Sequence, residues 1–132
     1  MVTNIEKFLK AVMAEHPDLN DFGIGIFYKD QEKPIEERAI ILAKNREKLR
    51  ESVERVSATV KWLRENVEHT KSVNRKSSSY TIKHIAEKDI GYITNGVFIA
   101  AGIIAGYVYR IRPTSPNVLF GMSERSLNRL RR

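Results

Sequence analysis

The chain has 132 residues, a formal net charge of +7 and 42% hydrophobic residues, which is apolar enough for one packed domain and too apolar for a disordered chain. It contains no cysteine, which excludes disulfides and thiolate metal sites and fits a reducing, cytoplasmic setting. Residues 1–70 carry 12 Lys or Arg against 13 Asp or Glu, whereas residues 71–132 carry 11 against 3, so the second half is expected to meet a polyanion.

Residues 1–33 read as a helix followed by a connector. Thr3 and Glu6 are spaced as a capping-box pair, the hydroxyl and carboxylate each serving a free amide at the helix start. Ile5, Phe8, Leu9, Val12 and Met13 follow the i, i+3, i+4, i+7, i+8 stripe of an amphipathic helix, and Pro17 ends it. No basic segment followed by an apolar run opens the chain, so no secretory signal is expected. In the connector, residues 23–28 read as a short strand weakened by Gly23 and Gly25.

Pro34 suits a first helical position, and no helix breaker follows until His69. One long helix over 34–69 is expected, about 50 Å long at 1.5 Å per residue. It keeps a heptad register: Ala39, Val53, Val60 and Val67 fall at a, with Arg46 the exception, and Ile35, Leu42, Leu49, Val56 and Leu63 fall at d. Valine at a with leucine at d favours two-stranded coiled coils, so a homodimer is expected through Leu42, Leu49, Val53, Val56, Val60, Leu63 and Val67. The flanking positions carry too little charge to choose parallel or antiparallel pairing. The alternative is an intramolecular bundle, the helix packing on the first helix and the C-terminal module.

Residues 70–79 hold Lys71, Arg75 and Lys76 and only Val73 as an apolar side chain, and read as a linker or exposed arm. A helix over 80–89 follows, with Ile82, Ile85 and Ala86 on one face and Gly91 as its left-handed stop. Thr94 or Asn95 caps the next helix, 97–105, which is apolar on every side and therefore buried. The apolar run over 97–108 falls short of the roughly 20 residues of a membrane span, so no membrane partner is expected. Gly102 is expected to let this helix approach the long one closely. Residues 107–112 alternate as a strand, 113–117 turn, and 118–122 return; the arginines from 125 onward read as a frayed tail. The predicted fold class is mainly α with a small β-hairpin: a long helix plus a compact helix-turn-helix or winged-helix-like module. The chain divides as 1–33, 34–69 and 70–132.

The strongest candidate site is Lys71, Arg75, Lys76, the serines including Ser78 and Ser79, Lys83 and His84. A helix start presents free amides and a positive dipole end, and hydroxyls with flanking cations complete a phosphate site. Lys83 lies opposite Ile82 and Ile85 and is expected to be exposed; the plainer alternative is a basic linker with an ordinary serine cap. Arg110 and Arg112 stand on one strand face, where a wing would lie along a phosphate backbone, or where a strand is simply solvated. The helix over 97–105 offers no polar side chain for base edges, so sequence-specific readout by it is not expected. His16, His69 and His84 lack metal-ligand spacing, and Tyr80, Lys83 and His84, a conceivable proton-transfer group, recur by chance on helices. Neither a catalytic group, a metal, a cofactor nor a small-molecule substrate is expected.

The string Ser78-Ser79-Tyr80…Lys83-His84…Glu87, followed by Gly91-Tyr92-Ile93-Thr94-Asn95-Gly96-Val97-Phe98-Ile99-Ala100-Ala101 and Pro116-Asn117-Val118, resembles a scattered group of small uncharacterised bacterial proteins associated with phages, plasmids and other mobile elements. The similarity covers about residues 60–122. It implies a mobile-element setting and no particular activity. The expected function is non-enzymatic binding of DNA or RNA through phosphates. The runner-up is a phage- or plasmid-encoded inhibitor or adaptor of a host protein complex.

Overall fold

The computed structural model describes residues 2–132, with side chains from Asn4 onward. The elements run α1 (Val2–Glu15), β1 (Leu19–Asn20), β2 (Gly23–Ile24), a 3₁₀ turn (Tyr28–Glu32), α2 (Ile35–Arg50), α3 (Val53–Asn66), α4 (Ser79–Ile90), α5 (Asn95–Ile104), β3 (Tyr109–Ile111), β4 (Val118–Phe120) and α6 (Glu124–Arg131). The protein is mainly helical with two small antiparallel hairpins, β1–β2 and β3–β4. One apolar core runs from Ile5 to Leu127 and draws on all six helices and both hairpins.

The stripe of α1 buries Ile5, Leu9, Val12 and Met13, while Phe8 stays outward. The helix already runs at Thr3, and the Thr3 side chain, on which the expected capping pair with Glu6 rests, lies outside the described residues. The strand expected over 23–28 is only Gly23–Ile24, paired with Leu19–Asn20. Its turn is fixed by the buried Asn20, whose amide donates to the Asp18 and Gly25 carbonyls while its oxygen accepts from the Phe22 amide. Gly23 has φ 138°, and a Cβ there would stand 2.5 Å from the Pro116 carbonyl oxygen. Only glycine fits that approach of the first hairpin to the second.

The single long helix over 34–69 does not form. It is two helices, α2 and α3, interrupted at Glu51 and Ser52, where ψ reaches −7° and 30°. The Ser52 hydroxyl donates to the Lys48 carbonyl, a back-bond that competes with the helical ladder. The expected dimer seam is also used within the chain: Leu49, Val56 and Leu63 are wholly buried, and Val60 and Val67 nearly so, where α3 packs on α1 and α5. These five side chains belong to the intramolecular bundle, Val53 packs at its margin, and Leu42 is half-buried.

The segment 67–78 is not a free arm. The Thr70 amide donates to the Gly121 carbonyl and that of Asn74 to the Phe120 carbonyl, while the Ser123 amide donates to the Glu68 carbonyl. His69 bridges to Met122 in antiparallel sense, so the connector lies along the β4 side. Tyr107 is buried and its hydroxyl donates to the carbonyls of Leu63 and Val67 at the end of α3; the Leu63 carbonyl also accepts from the Val67 amide. Gly91 ends α4 at φ 81°, and the Thr94 hydroxyl caps α5 by accepting from the Val97 amide. Gly102 makes room for the Phe120 ring, 2.6 Å from where its Cβ would stand, rather than for the long helix. The tail is helical as α6: Ser123 caps it, Leu127 is buried, and Arg131 pairs with Glu124.

Candidate nucleic-acid interface and the pocket beside it

The cations of the connector and of the β3–β4 hairpin meet. Lys71, Arg75 and Lys76 from the connector and Arg110 from β3 line one groove of about 590 Å³, with Ser72, Val73, Val108 and Tyr109. The pinned connector and the hairpin pairing of Arg110 with Leu119 set this arrangement. Asn74 shapes the connector, its side-chain oxygen accepting from the amides of Lys76 and Ser77. All four cations are exposed, and among the described residues none of them forms an ion pair. A concavity with four uncompensated positive charges attracts a polyanion and releases its counterions. Arg112, also exposed, stands two residues further along and does not line the groove.

The rest of the expected phosphate site does not assemble at the start of α4. Ser79 is buried, donating to Asn95 Oδ1 and accepting from the Val118 amide. Ser77 is tied to Glu124 and Arg131, and Ser78 is half-buried and makes no cap hydrogen bond. Lys83 is not exposed: its side chain retains 5% of its accessibility and its ammonium donates to Glu87 Oε2 at 2.9 Å. Ser79 holds α4 to α5 and to the hairpin, Ser77 holds the connector to α6, and Lys83 pairs within α4, which leaves the groove to the connector and Arg110.

Lys83 and His84 instead face a second cavity of about 650 Å³, lined also by Asp21, Phe22, Asn45, Tyr80, Tyr92, Thr94, Asn95, Pro116 and Asn117. The Lys83 ammonium lies 5.3 Å from the centre of the Tyr80 ring and 5.0 Å from that of Tyr92, a favourable placement for a cation that has lost most of its water. Glu87 bridges the pair, with Oε2 accepting from Lys83 and from the Ile93 amide, and Oε1 lying 2.8 Å from His84 Nδ1. Burial would raise the Glu87 carboxyl, but the bonds from Lys83, Ile93 and His84 outweigh it and hold its pKa below the ordinary value. The Asp21 carboxylate accepts from the Thr94 hydroxyl through Oδ1. Asn95 donates to Asn117 Oδ1, fixing the floor between α5 and the hairpin turn.

The sequence signal for this second cavity lies at Tyr80, Lys83, His84 and Glu87, which are spaced i, i+3, i+4, i+7. That is the stripe of one helix face, written in polar residues. Its completion by Asp21, Tyr92 and Asn117 depends on tertiary packing and has no local signature. Among the described residues, no three of His, Asp and Glu converge as metal ligands would, and no helix is long and apolar enough to cross a membrane. No protein-family model, curated protein or solved structure matches the chain.

Proposed function

We propose that the chain is a non-enzymatic nucleic-acid-binding protein that holds the sugar–phosphate backbone in the groove of Lys71, Arg75, Lys76 and Arg110. The observation that carries this reading is the convergence, from two separate elements on one concave surface, of four exposed cations that form no ion pair among the described residues. Arg112 extends the positive path along the hairpin. Backbone contact fixes position and affinity and carries no sequence information, so binding is to DNA or RNA of any sequence. The resemblance over residues 60–122 favours a phage or plasmid setting for such a protein.

The test is fluorescence anisotropy with labelled random-sequence duplex and single strands over a salt series. Wild-type affinity falls steeply with salt. Each of Lys71→Ala, Arg75→Ala, Lys76→Ala and Arg110→Ala weakens binding on every sequence and flattens the log–log salt slope by roughly 0.7 to 0.9. Unchanged anisotropy at micromolar protein and low salt overturns the proposal. So does binding that survives removal of all four cations.

A second reading, a protein partner or a second copy of the chain, is favoured by the outer half of α2. Ile35 and Ile40 are exposed there, as is Tyr28 in the preceding turn. Ile35, Arg38, Ala39 and Leu42 line a shallow groove with Ile26, and Arg38 Nε is buried with no acceptor among the described residues. A partner that covers this face removes apolar surface from water and supplies that acceptor. Sedimentation over a concentration series tests it.

A further inference from the structure

We infer that the cavity rimmed by Tyr80 and Tyr92 takes up an unpaired nucleobase while the groove of cations holds the adjoining backbone. The inference deepens the nucleic-acid reading and rests on it. Aromatic rings are ordinarily drawn into a core, yet Tyr80 keeps 51% and Tyr92 75% of its accessibility. Both rings are nevertheless placed, since each lies against the nearly buried Lys83 ammonium, and Tyr80 also meets His84 edge-on at 4.6 Å. Rings held in place at an open rim are stacking platforms, and every base has a face to offer them.

The polar groups of the cavity match the edge of a base better than they match a bare anion or an apolar ligand. Lys83 has three N–H donors, and only Glu87 accepts from it among the described residues. Asp21 is an acceptor whose Oδ2 makes no hydrogen bond among the described residues, and the Asn45 and Asn117 amides add donors at the same wall. A simple anion would be repelled by Asp21, and an apolar ligand would strip water from all four groups without replacing it. A nucleobase carries donors and acceptors side by side in one plane, and an unstacked base exposes both its face and its edge. The volume lies within the ordinary range of small-ligand sites, roughly 300 to 1,000 Å³.

The two sites lie within reach of one strand. Lys76 lines the groove and Tyr80 the cavity, and four residues span at most roughly 14 Å. The hairpin makes the same link a second time, with Arg110 in the groove and Pro116 and Asn117 in the cavity.

The experiment compares three labelled oligomers of one length: a single strand, the same strand with abasic sites, and a duplex. The wild type should bind the intact single strand roughly 5- to 150-fold more tightly than the abasic strand, the range expected for one stacked base. Tyr92→Ala and Tyr80→Ala should abolish that difference and leave duplex affinity unchanged, whereas Tyr92→Phe, which keeps the ring, should preserve it. Equal wild-type affinity for intact and abasic strands overturns the inference and leaves the groove reading standing. Loss of binding to all three oligomers overturns the groove reading instead. The cavity is then judged by titrating a nucleoside monophosphate while following the Tyr80 and Tyr92 ring resonances: shifts at both support it, and none overturns it.

Discussion

Arg46 reaches from α2 to the end of α1 and donates to the carbonyls of Met13, His16, Pro17 and Leu19 at 2.8–3.0 Å. Met13 lies in the last turn of α1, where Pro17 has no N–H to offer its carbonyl, whereas the His16 carbonyl also accepts from the Leu19 amide. Arg55 serves α4 in the same way, donating to Ile90, Gly91 and Tyr92. The planar guanidinium with its five donors suits this task, and a lysine does not. Arg46→Met should therefore lower stability by about 3 kcal/mol, because several part-buried carbonyls lose a charged donor at once. Arg46→Lys should recover only part of it. Urea unfolding followed by circular dichroism measures both, and a loss under about 1 kcal/mol for the methionine variant would show that water replaces the guanidinium well.

At the scale of elements, the heptad pattern marks the right residues and the wrong partner. Leu49, Val56, Val60, Leu63 and Val67 were legible as one apolar face, and the chain buries that face against α1 and α5. The break at Glu51 and Ser52 was not legible, since neither residue is a breaker and the bend answers to packing on both sides of it. The connector's pairing with Phe120 and Gly121 runs through backbone groups, which any sequence possesses, so it leaves no mark in the sequence. Short α6 hid behind its arginines, although Ser123 and Leu127 hold it in place. Of the candidate site, the charge cluster at Lys71, Arg75 and Lys76 could be read directly, and Arg110 followed from strand alternation. The burial of Lys83 could not, because it depends on Glu87 one turn later and on Tyr92 beyond the helix. What remains of the heptad outside the core is Ile35, Ala39 and Leu42 in the outer half of α2. If that face binds a second copy, sedimentation should give a concentration-dependent mass above the 15.2 kDa of one chain. Ile35→Glu with Ile40→Glu should return it to that mass without lowering stability, since Ile35 is 71% exposed. A mass that never rises in the wild type would set self-association aside.

For the molecule as a whole, two carboxylates and one phenol tie distant segments together, so stability should follow their titration. Glu124 accepts from Asn74, Arg131 and Ser77 and so clamps the connector to α6; these bonds outweigh burial and hold its pKa below the ordinary value. Glu87, held low by Lys83, Ile93 and His84 against the effect of burial, joins α4 to the loop before α5. For a carboxyl with a lowered folded pKa, the stabilisation is complete above the unfolded value, roughly 4.3 for glutamate, and drains away as pH falls through the folded one. Tyr107 behaves in the opposite sense. Burial raises its hydroxyl from 10.0 to about 12, so its contribution is complete below the unfolded value and is lost as pH climbs from there. Thermal unfolding from pH 2 to pH 12 should therefore show a plateau with two falling limbs. Glu124→Gln should flatten the acid limb, because the amide cannot titrate. Tyr107→Phe should flatten the alkaline limb while lowering the plateau, since the Leu63 and Val67 carbonyls lose the hydroxyl bond, and only Leu63 keeps a backbone donor, the Val67 amide, among the bonds described. An acid limb equally steep in Glu124→Gln and the wild type would place the acid sensitivity in Glu87 or elsewhere. An alkaline limb unchanged in Tyr107→Phe would remove the phenol from the account.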